Sequence, residues 1–196
     1  AGMKPVASGC ALTGAGLRHE EGLRLMAASP PSPPYDVVNP FAYAPAIAPH
    51  IAAQEAGRPI DIAAISALAG TIEADYLVVE GVGGWMVPRG DVRMLADLAR
   101  ATADEVIVVV GLRLGCINHA LLTAARIASD GMPMKGWIAN HVDPDMQAQA
   151  ENMQTLETLM PCPLLGVMHW QNSNRQYPEL KIQPKEALIN AVLALS

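Results

Sequence analysis

Two periodicities alternate along this chain. Short apolar runs rich in β-branched residues predict buried strands at residues 76–80 (Tyr-Leu-Val-Val-Glu), 105–110, 134–140 and 163–168. The second of these holds four valines and one isoleucine in six residues. Between them lie longer stretches with apolar positions at helical spacing, which predict helices at 60–72, 94–102, 118–129, 144–160 and 185–195. In the 144–160 stretch, Met146, Ala150, Met153, Leu156 and Met160 form the apolar face, with Asp143 as N-cap and Pro144 in the first turn. Strands alternating with helices predict an α/β fold. Its sheet should be mostly parallel and covered on both faces, in a single domain over residues 1–196.

Ligands of such sheets sit beyond the carboxyl ends of the strands. Four segments occupy that position: Lys4 to Ser8, Glu80 to Gly84, Gly111 to Asn118, and Asn140 with His141. In the second, Val79-Glu80-Gly81-Val82-Gly83-Gly84 delivers one carboxylate from an apolar strand into a glycine-rich turn. Glycines leave backbone open to a phosphate. Lys4, flanked by apolar or small residues, is either a surface charge or a compact cation for phosphate. Gly115-Cys116-Ile117-Asn118 is either an ordinary strand-to-helix turn or an anion site made of free N–H groups. Asn140 is either a turn residue or a group whose amide presents donor and acceptor together, as a purine edge requires. Glu20 and Glu21 cap a helix start, or join Glu80 around Mg²⁺. The run Pro30-Pro31-Ser32-Pro33-Pro34, with Pro40, Pro45 and Pro49 following, is either an irregular loop near a site or, as more often, a rigid connector.

Composition narrows the class. Hydrophobic residues make up 51% of the 196, enough for a sizeable core, built from Ala, Leu, Ile, Val and Met because there is only one Phe. A net charge of −6 argues against a nucleic-acid partner. Cys10, Cys116 and Cys162 are odd in number and lack Cys-x-x-Cys spacing, so reduced thiols and a cytoplasmic setting are expected. No apolar run approaches the ~18 residues of a membrane span.

Taken in order, several segments closely resemble the dethiobiotin synthetases. They are Lys-Pro-Val-Ala-Ser-Gly (4–9), Val-Asn-Pro (38–40), Pro-His-Ile-Ala-Ala-Gln-Glu (49–55), Val-Glu-Gly-Val-Gly-Gly-Trp (79–85), Leu-Gly-Cys-Ile-Asn-His-Ala (114–120), Gly-Trp-Ile-Ala-Asn (136–140) and Pro-Leu-Leu-Gly (163–166). The resemblance runs from about Gly2 to about Trp170. It implies a P-loop NTPase-like fold and closure of a ureido ring on 7,8-diaminononanoate with CO₂, ATP and Mg²⁺ in biotin biosynthesis. One amine becomes a carbamate, the carbamate takes the γ-phosphate, and the second amine displaces phosphate.

On this resemblance Lys4 is the catalytic lysine. Ser8, Gly81, Val82 and Gly83 bind the substrate, and Gly115, Cys116, Ile117 and Asn118 hold its carboxylate across a homodimer. Glu80, Gly81, Val82, Gly83, Asn140, His141, His169, Trp170 and Gln171 line the nucleotide, and Glu80 with Glu21 holds the metal.

Three departures stand out. The second metal carboxylate is usually Asp, whereas Glu20 and Glu21 occupy its segment, Glu21 aligning better. His169 stands before Trp170 where the family usually has Pro. The Gly-x-x-x-x-Gly-Lys-Ser/Thr loop is absent: no glycine precedes any of the four lysines, and Ala15-Gly16 follows the spaced pair Gly9 and Gly14. The expectation is a chain lacking one N-terminal strand–loop–helix unit, on the order of thirty residues, and inactive by itself. The alternatives are a non-catalytic binding relative and, less well matched by the substrate segments, another ATP-dependent amidoligase.

Overall fold

The computed structural model describes residues 1–90 and 94–170. They group into two compact units, residues 1–103 and 104–170.

The first unit is organised by one extended segment that changes partners. Strand β1 (Gly2–Met3) pairs in parallel with β6 (Val78–Val79), and β2 (Val6–Ser8) pairs in parallel with β5 (Phe41–Tyr43). The switch falls at Lys4-Pro5, because Pro5 has no N–H to continue a ladder. Its carbonyl still accepts from Phe41 N at 3.0 Å, and Lys4 N donates to Val38 O at 2.9 Å. An antiparallel hairpin follows, β3 (Ala11–Thr13) with β4 (Gly16–Arg18). Helices α1 (Glu20–Ala27), α2 (Tyr35–Val38), α3 (Pro49–Glu55), α4 (Ile62–Ala69) and α5 (Ala96–Thr102) complete the unit. Its core gathers Met3, Val6, Phe41, Tyr43, Ala52, Ile60, Ile65 and Leu98, with Val82 and Val87 packed against it.

The second unit is a three-stranded parallel sheet in the order β7 (Val106–Leu112), β8 (Met134–His141), β9 (Leu164–Met168). Helices α6 (Cys116–Ser129) and α7 (Gln149–Leu159) connect the strands. β8 is central, and Trp137, Ile138 and Ala139 are fully buried. The α/β class with parallel strands is as the periodicity predicts.

Several expected boundaries move for local reasons. The 60–72 helix shortens to α4, because Asp61 caps it by accepting from Ala63 N at 2.9 Å and Ala64 N at 3.2 Å, and Gly70 closes it. The 94–102 helix starts at Ala96, since Met94 is held in a bridge with Pro88. The 118–129 helix starts two residues earlier, at Cys116, after Gly115 in the left-handed region. The 144–160 helix is corrected most. Asp143 accepts from Asp145 N at 3.0 Å, a local turn that competes with helix, and the N-cap is Ala148 at φ 53°. Met146 therefore precedes the helix and Ala150 is exposed, while Leu156 and Met160 are buried. The strand expected at 76–80 is half-buried rather than buried and regular only at Val78–Val79, because among the described residues it is paired along one edge alone. Val109 of β7 is half exposed. The helix expected at 185–195 lies outside the described residues.

Asp61→Ala removes the α4 cap and is expected to cost about 1 kcal/mol of stability, measured by urea denaturation.

Candidate active site

The β1–β6 register sets the first unit's site. Met3 lies opposite Val79, so the next residues on the two parallel strands, Lys4 and Glu80, emerge side by side at the carboxyl ends. Glu80 N donates to Met3 O at 2.8 Å and continues the ladder by one bond. The Lys4 ammonium is almost wholly buried, a costly position for an unpaired charge. Its three donors are all used. They meet Glu21 Oε2 at 2.6 Å, Glu80 Oε1 at 2.9 Å and Gly81 O at 2.7 Å.

Glu21 arrives from the first turn of α1, where the helix dipole favours a carboxylate. The neighbouring Glu20 faces solvent and pairs with Arg24. His19 Nδ1 lies 3.5 Å from Glu21 Oε2.

The two carboxylates differ electrostatically. Burial pushes both up. At Glu21 the hydrogen bond and charge of Lys4, with His19 behind them, outweigh burial and hold the carboxyl below its ordinary 4.5. At Glu80 burial wins over Lys4, helped by the nearby Glu21 carboxylate, and the carboxyl sits above 4.5. Glu80 Oε2 is buried without a hydrogen-bond partner.

The glycine-rich turn follows Glu80. Gly83 has φ +75°, and a Cβ there would stand 2.9 Å from Val87 Cγ2, so this position demands glycine. Gly81 and Gly84 border open space, leaving their backbone accessible. The Val82 side chain packs on the core. Ser8 ends β2 in the same unit, half-buried, opposite Tyr43. The proline run lies elsewhere. Pro30, Pro31, Pro33 and Pro34 line a cleft of about 770 Å³ with Ala1 and Tyr76, at the amino ends of β1 and β6, opposite the Lys4 edge.

The second unit presents its own strand ends. Register places Gly111 opposite Asn140 and Leu112 opposite His141, while Asn140 faces Met168 on the other side. Asn140 and His141 thus close β8, and the His141 and His169 rings lie 5.2 Å apart. Trp170 is half exposed. Beyond the same end of β7, Gly115 at φ +93° turns the chain into α6. Cys116 is buried and its N–H is taken by Arg113 O at 3.0 Å. The α6 dipole and the N–H groups of Ile117 and Asn118, which have no intrahelical acceptor, favour an anion there. Gln171 lies outside the described residues.

Comparison with known proteins decides the family. A family model described as an AAA domain matches residues 2–176. The ATP-dependent dethiobiotin synthetase BioD of Chromohalobacter salexigens is 47% identical over 178 residues, covering 85% of this chain and 75% of that protein. Those of Xylella fastidiosa (strain Temecula1) and Pseudomonas aeruginosa (strain UCBPP-PA14) are each 48% identical, over 167 and 169 residues, covering 84% and 85% of this chain and 74% of each relative.

The chain belongs to the dethiobiotin synthetase family.

Among the described residues, no group of three or more His, Cys, Asp or Glu side chains is arranged to hold a metal. Two carboxylates, one with an unpartnered oxygen, nevertheless match Mg²⁺, which takes one or two protein carboxylates and completes its shell with phosphate oxygens and water. Sequence reasoning about this family member named Lys4, Glu21 and Glu80 but missed the groups behind them. These are His19, Tyr35 and Asn39. The Val-Asn-Pro segment contained Asn39, but nothing local in the sequence revealed its bond to the Lys4 backbone.

The turn and the carboxylates yield two expectations. Gly83→Ala should lower stability by about 1–2 kcal/mol, the cost of a side chain in the left-handed region, whereas Gly84→Ala stays within about 0.5 kcal/mol. On pH, the folded state holds the Glu80 proton more tightly than the unfolded chain, so stability is lost as pH rises from 4.5 through the raised Glu80 pKa. Glu21 acts oppositely, contributing stability above 4.5 that is lost as pH falls through its lowered pKa. Urea denaturation of Glu80→Gln at pH 4.5 and 7 should therefore show a more favourable change on raising pH than in the unsubstituted protein.

Proposed function

We propose that this chain provides substrate, metal and adenine contacts for ATP-dependent formation of dethiobiotin from 7,8-diaminononanoate and CO₂. The buried Lys4 ammonium between two strand-end carboxylates is the observation that carries the reading, together with the family relationship. Phosphoryl transfer to a carbamate brings two anions together, and its barrier falls when fixed positive charge faces them. Lys4 supplies that charge from the residue after β1, its flexible stem held in place by burial and three acceptors. Its three donors are held by Glu21, Glu80 and Gly81, so it must exchange an acceptor to meet the carbamate.

Glu80 and Glu21 are the residues that would hold Mg²⁺, which supplies neutralisation of phosphate charge when bound. The open backbone at Gly81 and Gly84 lets the diamine and phosphates approach closely. Ser8 contacts the diamine. Ile117 and Asn118 offer N–H groups to the substrate carboxylate, with Gly115 and Cys116 shaping the turn, and we place this contact across a homodimer. Asn140 reads the adenine, with His141, His169 and Trp170 contributing to the same contact, and Gln171 is assigned to it by the family resemblance alone. The 196 residues contain no Gly-x-x-x-x-Gly-Lys-Ser/Thr, so we propose that they do not turn over ATP without a phosphate loop supplied by further sequence. A cytoplasmic setting is supported by three free cysteines. Among the described residues, no helix is long and apolar enough to cross a membrane.

The test is ATP-dependent dethiobiotin formation by the full-length gene product and its Lys4→Gln variant. The variant should lose about a hundredfold or more in kcat, the scale of removing one transition-state charge contact, with an unchanged circular dichroism spectrum. Unsubstituted protein that binds ATP and the diamine yet forms no product would instead favour the non-catalytic relative.

A further inference from the structure

A chain of hydrogen bonds, part-buried at its His19 end and buried at Tyr35 and Asn39, joins the two segments that carry Lys4 and Glu21. The His19 N–H donates to Tyr35 Oη at 2.7 Å, Tyr35 Oη donates to Asn39 Oδ1 at 2.9 Å, and Asn39 Nδ2 donates to the Lys4 carbonyl at 2.5 Å. His19 is the N-cap of α1, two residues before Glu21, so the chain runs from the backbone holding the carboxylate to the backbone holding the ammonium. Tyr35 is 8% and Asn39 2% exposed. We propose that Tyr35 and Asn39 are positioning residues that set the separation of Lys4 and Glu21 for the reaction proposed above.

Three further features fit this assignment. Gly22 lets α1 lie directly on the pair: a Cβ there would stand 3.3 Å from Tyr35 Oη and 3.4 Å from Asn39 Cβ. Asn39 precedes Pro40, which biases it away from helix, and at φ −131° it ends α2 with its amide beside the Lys4 carbonyl. A side chain with one acceptor and one donor on the same short stem is required, because it takes a hydroxyl hydrogen bond and gives one to a carbonyl. Burial also pushes the Tyr35 hydroxyl up from its ordinary value, so it stays a donor throughout the neutral range. The Arg18 guanidinium stacks on the Tyr35 ring at 4.1 Å and holds its plane.

The inference rests on the functional reading only for its kinetic part. In the full-length gene product, Tyr35→Phe keeps the ring and removes the hydroxyl. It should lower kcat about tenfold, the cost of a small misplacement at a reacting centre, with the KM for ATP unchanged. Independently of turnover, Lys4 should become severalfold more reactive toward acetic anhydride relative to Lys135. The buried Cys10 should stay as slow toward N-ethylmaleimide as before. An unchanged kcat with unchanged Lys4 labelling overturns the assignment. So does a parallel rise in Cys10 labelling, which marks general loosening of the unit. If the unsubstituted protein forms no dethiobiotin, the functional reading fails, and the labelling of Lys4 against Cys10 decides the positioning role alone.

Discussion

The buried ammonium of Lys4 is the constraint around which the first unit is arranged. A charge removed from water needs acceptors on every donor, and two distant segments provide three: a helix start gives Glu21, and a strand end gives Glu80 with the adjoining Gly81 carbonyl. Each fixes an element. Glu21 orients α1, Glu80 ends β6, and Gly81 begins the glycine-rich turn. Replacing any one acceptor leaves a donor unsatisfied in a place water reaches poorly, so the cluster ties the local fold to the local chemistry.

That coupling explains the unequal carboxylates. One ammonium cannot neutralise two carboxylates, and Glu80, the less exposed of the pair, bears the remaining cost with one oxygen unpartnered. An arrangement held one positive charge short is suited to a cation arriving with phosphate. Stability alone would not favour leaving an acceptor unpaired. The proline switch at Lys4-Pro5 serves the same end, because it ends one ladder where the charge must leave the sheet and begins the next immediately after.

The second unit uses more ordinary means. A central strand buried on both faces carries Asn140 and His141 to its end, and a left-handed glycine turns the neighbouring strand into α6. There the free backbone N–H groups and the helix dipole offer partial positive charge, where the first unit offers a charged side chain.

Local pattern by itself determined the alternation of strands and helices, the parallel sheets, and the strand-end positions of Lys4, Glu80, Gly115 and Asn140. Hydrophobic period and glycine placement are properties of neighbouring residues, and they survive in the sequence. Local pattern failed where a short-range bond competed, as at Asp143, whose turn displaced the expected helix start, and at Asp61, whose cap trimmed another helix. The family resemblance already favoured Glu21 over Glu20; only the tertiary structure decided that Glu21 pairs with Lys4, that Glu80 keeps an unpartnered oxygen, and that Tyr35 and Asn39 stand behind the pair. Those outcomes depend on groups as far as 76 residues apart meeting around a buried ammonium. The strength and necessity of such contacts arise from burial, which no run of neighbouring residues encodes.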